Sequence, residues 1–465
     1  METLSNEKEK QLILNGDVRT VFRKLAIPSL IGMVLMGLNN FLDGIFDGHF
    51  INENALAGVS LAFGLSQLMV GIAHMIGNGA GTVLSIFIGA NETKQLNRLI
   101  GNVNSLSILF SLLLLVPCWI FAEPMIRMMG GSGEILQYGA LYFRHITIGA
   151  FFWIHSLALT NIIRGEGKLM LVTIITAIGL AFDVVMKYLF IHVFDGGIEG
   201  AAWATNCTMV FYSLVSLWYF ASGRASFPSK LFALYFDRSI VKQILAAGVS
   251  NFVFLSMSVM QALIVYNMLA KYGTAHDMAF YSAGFRVVMV MMMPALGIMK
   301  AMQPVIGMNY GAKQFDRVRQ SYFHFLRSSM YIVLPLWLTL MLFPYGVLNT
   351  MLPAGSVSAH DVFLLRISLS VMALQPIVML SFGMLPSIGK GKETGMVAML
   401  QQVVLYVPAM LILPAFFGVD SIYWAPAFIQ LVAFAIVAWM VRKELKRLDG
   451  MENLPEEEII LSEAK

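Results

Sequence analysis

Leu25 to Phe50 reads LAIPSLIGMVLMGLNNFLDGIFDGHF, and this stretch decides the fold class. It stays apolar for longer than the roughly 20 residues that cross a hydrocarbon core, so it predicts a membrane-spanning helix. Its second half carries Asn39, Asn40, Asp43 and Asp47. A carboxylate near the middle of a spanning helix costs about 2.5–3.5 kcal/mol on insertion scales, so it marks function unless water reaches it. Asp47 is followed by Gly48, His49 and the polar segment INEN, and reads as an interfacial residue. Asp43 lies one turn deeper on the same helical face and reads as a buried, ion-handling acid.

The rest of the chain has the same character. Of its 465 residues, 58% are hydrophobic and only 12% charged, which excludes an ordinary soluble domain and predicts an all-α polytopic membrane protein. Apolar runs lie near residues 25–50, 55–88, 99–122, 138–163, 169–194, 198–222, 240–270, 278–308, 321–349, 361–387, 395–418 and 421–441, giving twelve transmembrane helices. Pro28, Pro117, Pro294, Pro304, Pro335, Pro376, Pro408 and Pro426 sit within them and predict kinks. A net charge of +4 is too small to suggest a nucleic-acid partner, and Cys118 and Cys207, both in apolar runs, form neither a metal spacing nor a disulfide framework. The polar opening METLSNEKEKQLILNG is not a cleaved signal peptide.

Basic residues fall at one set of helix ends. Lys8, Lys10, Arg19, Arg23 and Lys24 precede the first span, and Lys94, Arg98, Arg164 and Lys168 occupy alternate turns of the first half. Arg224, Lys230, Arg238 and Lys242 lie between the halves. Lys313, Arg317, Arg319, Lys390, Lys392, Arg442, Lys443, Lys446 and Arg447 follow in the second half, whereas the opposite loops hold Arg127 and Lys271. The positive-inside rule then puts both termini in the cytoplasm and makes the span count even.

The chain also repeats itself. IGANETKQLNR (88–98) resembles YGAKQFDRVR (310–319), and RGEGKLMLV (164–172) resembles GKGKETGMV (389–397). Matching Gly89 with Gly311 and Gly165 with Gly389 gives two six-helix bundles in a parallel pseudo-two-fold repeat. The expected divisions are an N-terminal segment 1–17, a first bundle 18–223, a linker 224–239, a second bundle 240–445 and a tail 446–465.

NNFLDGIFDG, ALAGVSLAF (55–63), NIIRGEGK (161–168), QPVIGMNYGAKQFDRVR (303–319) and SIGKGKETG (387–395) together resemble the multidrug and toxic compound extrusion (MATE) family, closest to its bacterial and archaeal DNA-damage-inducible-type branch. The resemblance runs from about Leu12 to Arg447. It implies a V-shaped pair of bundles and cation-coupled efflux of organic, often cationic compounds. It also implies coupling through Asp43 and Asp183, with Tyr142, Lys187 and Thr205 as neighbours beside Asn39, Asn40 and Asp47. Two of the five carried-over positions depart from the pattern, with Asp183 where Asn is usual and Lys187 where Asp is usual; Asp47 and His49 also replace residues that are usually apolar and basic there.

Asp183 and Lys187 are four residues apart with the acid first, the favourable order for an intrahelical ion pair. Either the pair is scaffolding that lowers the cost of insertion, or Lys187 occupies a cation seat and keeps Asp183 charged. The second reading leaves Asp43, which has no basic neighbour in sequence, as the better proton carrier. The acids of the second half, Asp277, Asp316, Asp361, Glu393 and Asp420, fall in turns or at span ends. Gln261, Asn267, Arg286, Gln375 and Gln401 are the candidates for lining a substrate cleft, and Arg286, Lys300 and Arg366 read as snorkelling or cleft-facing. His74, His145 and His155 read as packing residues, since none has a metal-site partner at helical spacing. The 33 methionines suit surfaces that adapt to varied shapes.

These features predict an antiporter exporting organic, cationic or amphipathic compounds in exchange for H⁺ or Na⁺, acting as a monomer in the bilayer with no cofactor and no metal. A flippase for lipid-linked oligosaccharides is the alternative, kept open by Lys187, Arg286 and Lys300. An intramembrane enzyme would need a clustered nucleophile or metal triad, which the sequence does not offer.

Overall fold

The computed structural model describes residues 2–50, 53–227, 230–348 and 357–451, with side chains except at 2–6, 40–50, 53–57, 60, 63, 259, 275, 279 and 347. Every regular element among them is helical. A first helix, Glu2–Asn15, precedes twelve long ones. In the first half these are α1 (Val18–Phe50), α2 (Glu53–Gly89), α3 (Thr93–Ile120), α4 (Gly133–Ile148 and Ala150–Gly165), α5 (Leu169–Lys187, extended by a π-turn Tyr188–Val193) and α6 (Gly197–Ala221). The second half holds α7 (Arg238–Tyr272), α8 (Ala275–Gly311), α9 (Phe315–Leu342), α10 (Ala359–Ser370, then Gln375–Ser387), α11 (Gly391–Met399 and Tyr406–Phe417, joined by a π-turn Leu400–Leu405) and α12 (Ser421–Met451). Among the described residues ten helices are long and apolar enough to span a membrane, and the bent α4 pair makes eleven; α6 completes the twelve.

The break in α4 has a local cause. The halves meet at 57° around Gly149, whose amide bonds the Ile146 carbonyl at 3.1 Å instead of closing a full α-turn. That frees the His145 carbonyl, and the Asn206 side chain of α6 donates to it at 2.8 Å. A Cβ on residue 149 would lie 2.1 Å from Asn206 Oδ1, so only glycine leaves room for this substitute donor.

The repeat is written in the backbone as well as in sequence. The fourth helix of each half is interrupted, and the fifth of each carries a π-turn. Asn91 and Lys313 both adopt left-handed φ (58° and 56°), and Gly167 and Gly389 do the same (85° and 80°), each pair 222 residues apart. The structural partner of Gly389 is therefore Gly167, each directly before the lysine that caps the fifth helix, rather than the Gly165 that sequence alignment suggests. Near the pseudo-axis α2 and α8 touch reciprocally: a Cβ on Gly89 would lie 2.0 Å from the Met308 carbonyl, and one on Gly311 2.0 Å from that of Ile86.

The bundles are joined at one end. One apolar core runs through the first bundle and continues into the second through Ile244, Ile298, Val305, Phe325, Leu385 and Val441, at the end that carries the basic turns. The other end of the second bundle has its own core around Leu269, Phe280, Leu365 and Tyr423. At the shared end, Ser29 of α1 donates to the Gly297 carbonyl of α8 at 2.7 Å. The helix Glu2–Asn15 lies across both bundles there. Lys10 bonds Asn91 at 2.6 Å, Ile13 packs at Gly167, and Arg317 donates to the Ile13 and Gly16 carbonyls. The linker is also tied down, with Asn104 donating to the Leu231 carbonyl at 2.7 Å and Arg98 pairing with Asp237 at 3.3 Å.

Candidate functional site

The α5–α6 seam places the first candidate acid. Gly179 receives the Tyr212 ring, Phe182 stacks on Phe211 at 4.5 Å, and the next position inward brings Asp183 to Thr208. Asp183 is 4% exposed; its Oδ1 accepts from Thr208 Oγ1 at 2.8 Å and its Oδ2 meets Lys187 Nζ at 2.9 Å. A buried carboxylate with an ammonium and a hydroxyl on its two oxygens is satisfied electrostatically, so a coupling cation would have to displace Lys187 to reach it.

Sequence reasoning missed Thr208. It named Thr205, whose hydroxyl bonds the Ala201 carbonyl of its own helix at 3.1 Å. Thr205 and Thr208, three residues apart, are neighbours on one helix surface about a turn apart in depth, and only the packing of α6 against α5 decides which one meets Asp183. Tyr142 is buried in the first part of α4 and Asn39 is half-buried on α1. The side chains of Asn40, Asp43 and Asp47 lie outside the described residues, although α1 runs through them to Phe50.

The cleft candidates separate. Gln401 donates to Gln430 at 2.7 Å, and Gln430 donates to Gln375, forming a buried amide chain between α11, α12 and α10. Gln261 is half-buried against Gln402, Asn267 bonds its own helix at 2.8 Å, and Arg286 is exposed. Lys300 does not snorkel: it is buried on α8. Arg366 is exposed, and its Nε donates to the Met341 carbonyl at 3.3 Å. His155 is a packing residue, its Nε2 3.2 Å from Asn104 Oδ1 and its ring stacked on Phe151. No group of three metal-ligating side chains occurs among the described residues.

At the junction of the bundles, Ser29, Met33, Arg164, Thr173, Thr176 and Lys300 line one narrow crevice. A second, smaller crevice, bordered by Asn78, Thr82, Asn161 and Gln303, has Arg164 in its wall too. Just beyond the end of α4, Glu166 is 2% exposed and accepts from Tyr219 at 2.7 Å and from the Ser226 hydroxyl at 3.1 Å, with Lys168 Nζ 3.6 Å away. Burial pushes its carboxyl above the usual carboxylate range, against the opposing pull of Lys168, Tyr219 and Ser226.

The described architecture resembles known transporters. The chain is 23% identical over 431 residues to the multidrug export protein MepA of Staphylococcus saprophyticus, covering 90% of this chain and 93% of that one. It superposes with a TM-score of 0.88 on a crystal structure of MATE in the bent conformation, at 23% identity over 96% of this chain and 99% of the other. An outward-facing structure of a multidrug resistance MATE family transporter of the MOP superfamily matches with a TM-score of 0.85 at 23% identity, covering 95% and 98%. The MatE family profile matches residues 28–189 and 250–412, one stretch in each bundle, and the chain accordingly belongs to the MatE family.

Proposed function

We propose that this membrane protein is a secondary active exporter of organic, amphipathic compounds, cationic ones among them, working by alternating access between its two bundles. Support for that reading comes from relatives named as multidrug exporters and from one observation above the others. Among the described residues the bundles share an apolar core at one end, so a rocking motion can open that end while closing the other. The basic end is cytoplasmic on this reading, both termini lie there, and the protein works as a monomer in a bacterial or archaeal plasma membrane.

Coupling is to H⁺ or Na⁺ through carboxylates of the first bundle. Asp43 is the exchanging acid, and Asp183, already paired with Lys187, tunes the bundle around it. One charge falling through about 100 mV supplies roughly 2.3 kcal/mol, and one pH unit about 1.4 kcal/mol. Exchange of a monovalent cation for one proton moves no net charge, so export should follow the pH gradient and survive collapse of the voltage alone.

The deciding experiment is transport in proteoliposomes under imposed pH or Na⁺ gradients, comparing wild type with Asp43→Asn. Loss of gradient-driven movement in a folded variant is the expected result. Undiminished movement would remove Asp43 from the mechanism.

A further inference from the structure

The chain pairs its other deeply placed lysines: Lys187 meets Asp183 at 2.9 Å and Lys168 meets Glu166 at 3.6 Å. Two cations at the bundle junction differ. Lys300 of α8 is 9% exposed, Arg164 stands at the end of α4, and both line the same space. Among the described residues neither has a carboxylate within ion-pair distance, and each lies within electrostatic reach of the other and of His74 on α2. The other groups lining that space are neutral, the hydroxyls of Ser29, Thr173 and Thr176 beside apolar side chains. Arg164 donates to Asn161, while Asn78 and Gln303 border the adjoining space.

Like charges brought together in a low dielectric repel, and burying an unpaired cation carries a desolvation penalty as well. An incoming anion relieves both at once. Guanidinium, ammonium and amide N–H groups are the donors that bind carboxylate and phosphate oxygens. One cation belongs to each bundle, so an anion bridging them interacts best with the arrangement in which the basic end is closed.

We infer that Arg164 and Lys300 form a binding site for an anionic oxygen group, a carboxylate or a phosphate, held between the two bundles. Occupancy favours closure at the basic end, because the ligand binds that state more tightly than one in which α4 and α8 separate. This last point rests on the exporter reading, which supplies the motion; the site itself does not.

The test titrates benzoate and inorganic phosphate into the full chain in neutral-lipid nanodiscs, by calorimetry and by thermal melting. Saturable binding by the wild type is expected, weakened about tenfold or more in Lys300→Met and Arg164→Gln and largely kept in Lys300→Arg. If Arg164→Gln does not fold, Lys300→Met and Lys300→Arg decide the matter. Repeating the titration with phosphatidylglycerol in the disc distinguishes the source: competition assigns the site to a lipid headgroup, and its absence to a soluble anion. No saturable binding by the wild type, or isotherms unchanged in Lys300→Met, overturns the inference. Gradient-driven movement of tetraphenylphosphonium by wild-type vesicles is measured separately. If it is missing while anions still bind, the exporter reading falls and the anion site stands.

Discussion

Both oxygens of Asp183 are occupied inside the first bundle, by Thr208 and Lys187, and this makes a sharp prediction. Removing one partner of a buried pair strands the other, so Lys187→Met alone should cost about 3–5 kcal/mol. Asp183→Asn combined with Lys187→Met should recover most of that loss in melting or denaturant unfolding; equal loss in single and double variants would argue against a coupled pair. Glu166 gives a prediction with a pH sign. Its folded carboxyl titrates above its ordinary 4.5, so its stabilising contribution is complete below that value and is lost as pH rises through the raised one. Glu166→Gln mimics the protonated form and should gain melting temperature relative to wild type between about pH 5 and about pH 8. A constant gap across that range would contradict it. The Asp183–Lys187 pair was legible because four residues on one helix suffice to define it. The meeting of Arg164 and Lys300 was not. In sequence Arg164 is one positive charge of a turn and Lys300 a snorkelling residue, and only packing brings them to one space.

At the scale of the element, α4 shows what hydropathy leaves out. Its two halves read as one apolar run, and nothing in that run sets Gly149 apart from the other glycines of the spans. The determinant is Asn206, on another helix, whose amide replaces the backbone donor lost by His145. Asn206→Ala should therefore leave a carbonyl unsatisfied in an apolar setting and cost about 1–3 kcal/mol of stability. Thermal melts check this, and a variant that melts with the wild type would mean that the bend holds without its donor. The π-turns of α5 and α11 likewise escape sequence reading, since residues 188–193 (YLFIHV) and 400–405 (LQQVVL) share no side-chain pattern that marks such a turn.

For the molecule as a whole, the twelve spans and the two-fold repeat were readable because lipid forbids alternatives: a backbone crossing it must satisfy its own hydrogen bonds. What composition could not give is which end is sealed. That depends on contacts such as Gly89 against Met308 and Gly311 against Ile86, where backbones meet without an intervening side chain. Gly89→Ala inserts a methyl 2.0 Å from a carbonyl and should force α2 and α8 apart, costing about 1–3 kcal/mol. Cysteines placed along the shared end should then label faster from the basic side; unchanged labelling would show that this contact does not hold the seal.

The helix Glu2–Asn15 is fastened by Arg317, a residue 304 positions downstream of Ile13. During synthesis its seat is incomplete while the first half is being inserted: Asn91 and Gly167 are then available, but Arg317 arrives only after the start of α9 has left the ribosome. An unfinished chain therefore leaves the Ile13 and Gly16 carbonyls without the guanidinium that fastens them, and holds Ile13 and Leu14 less firmly. The finished molecule hides them, and that early segment becomes a mark of completed assembly.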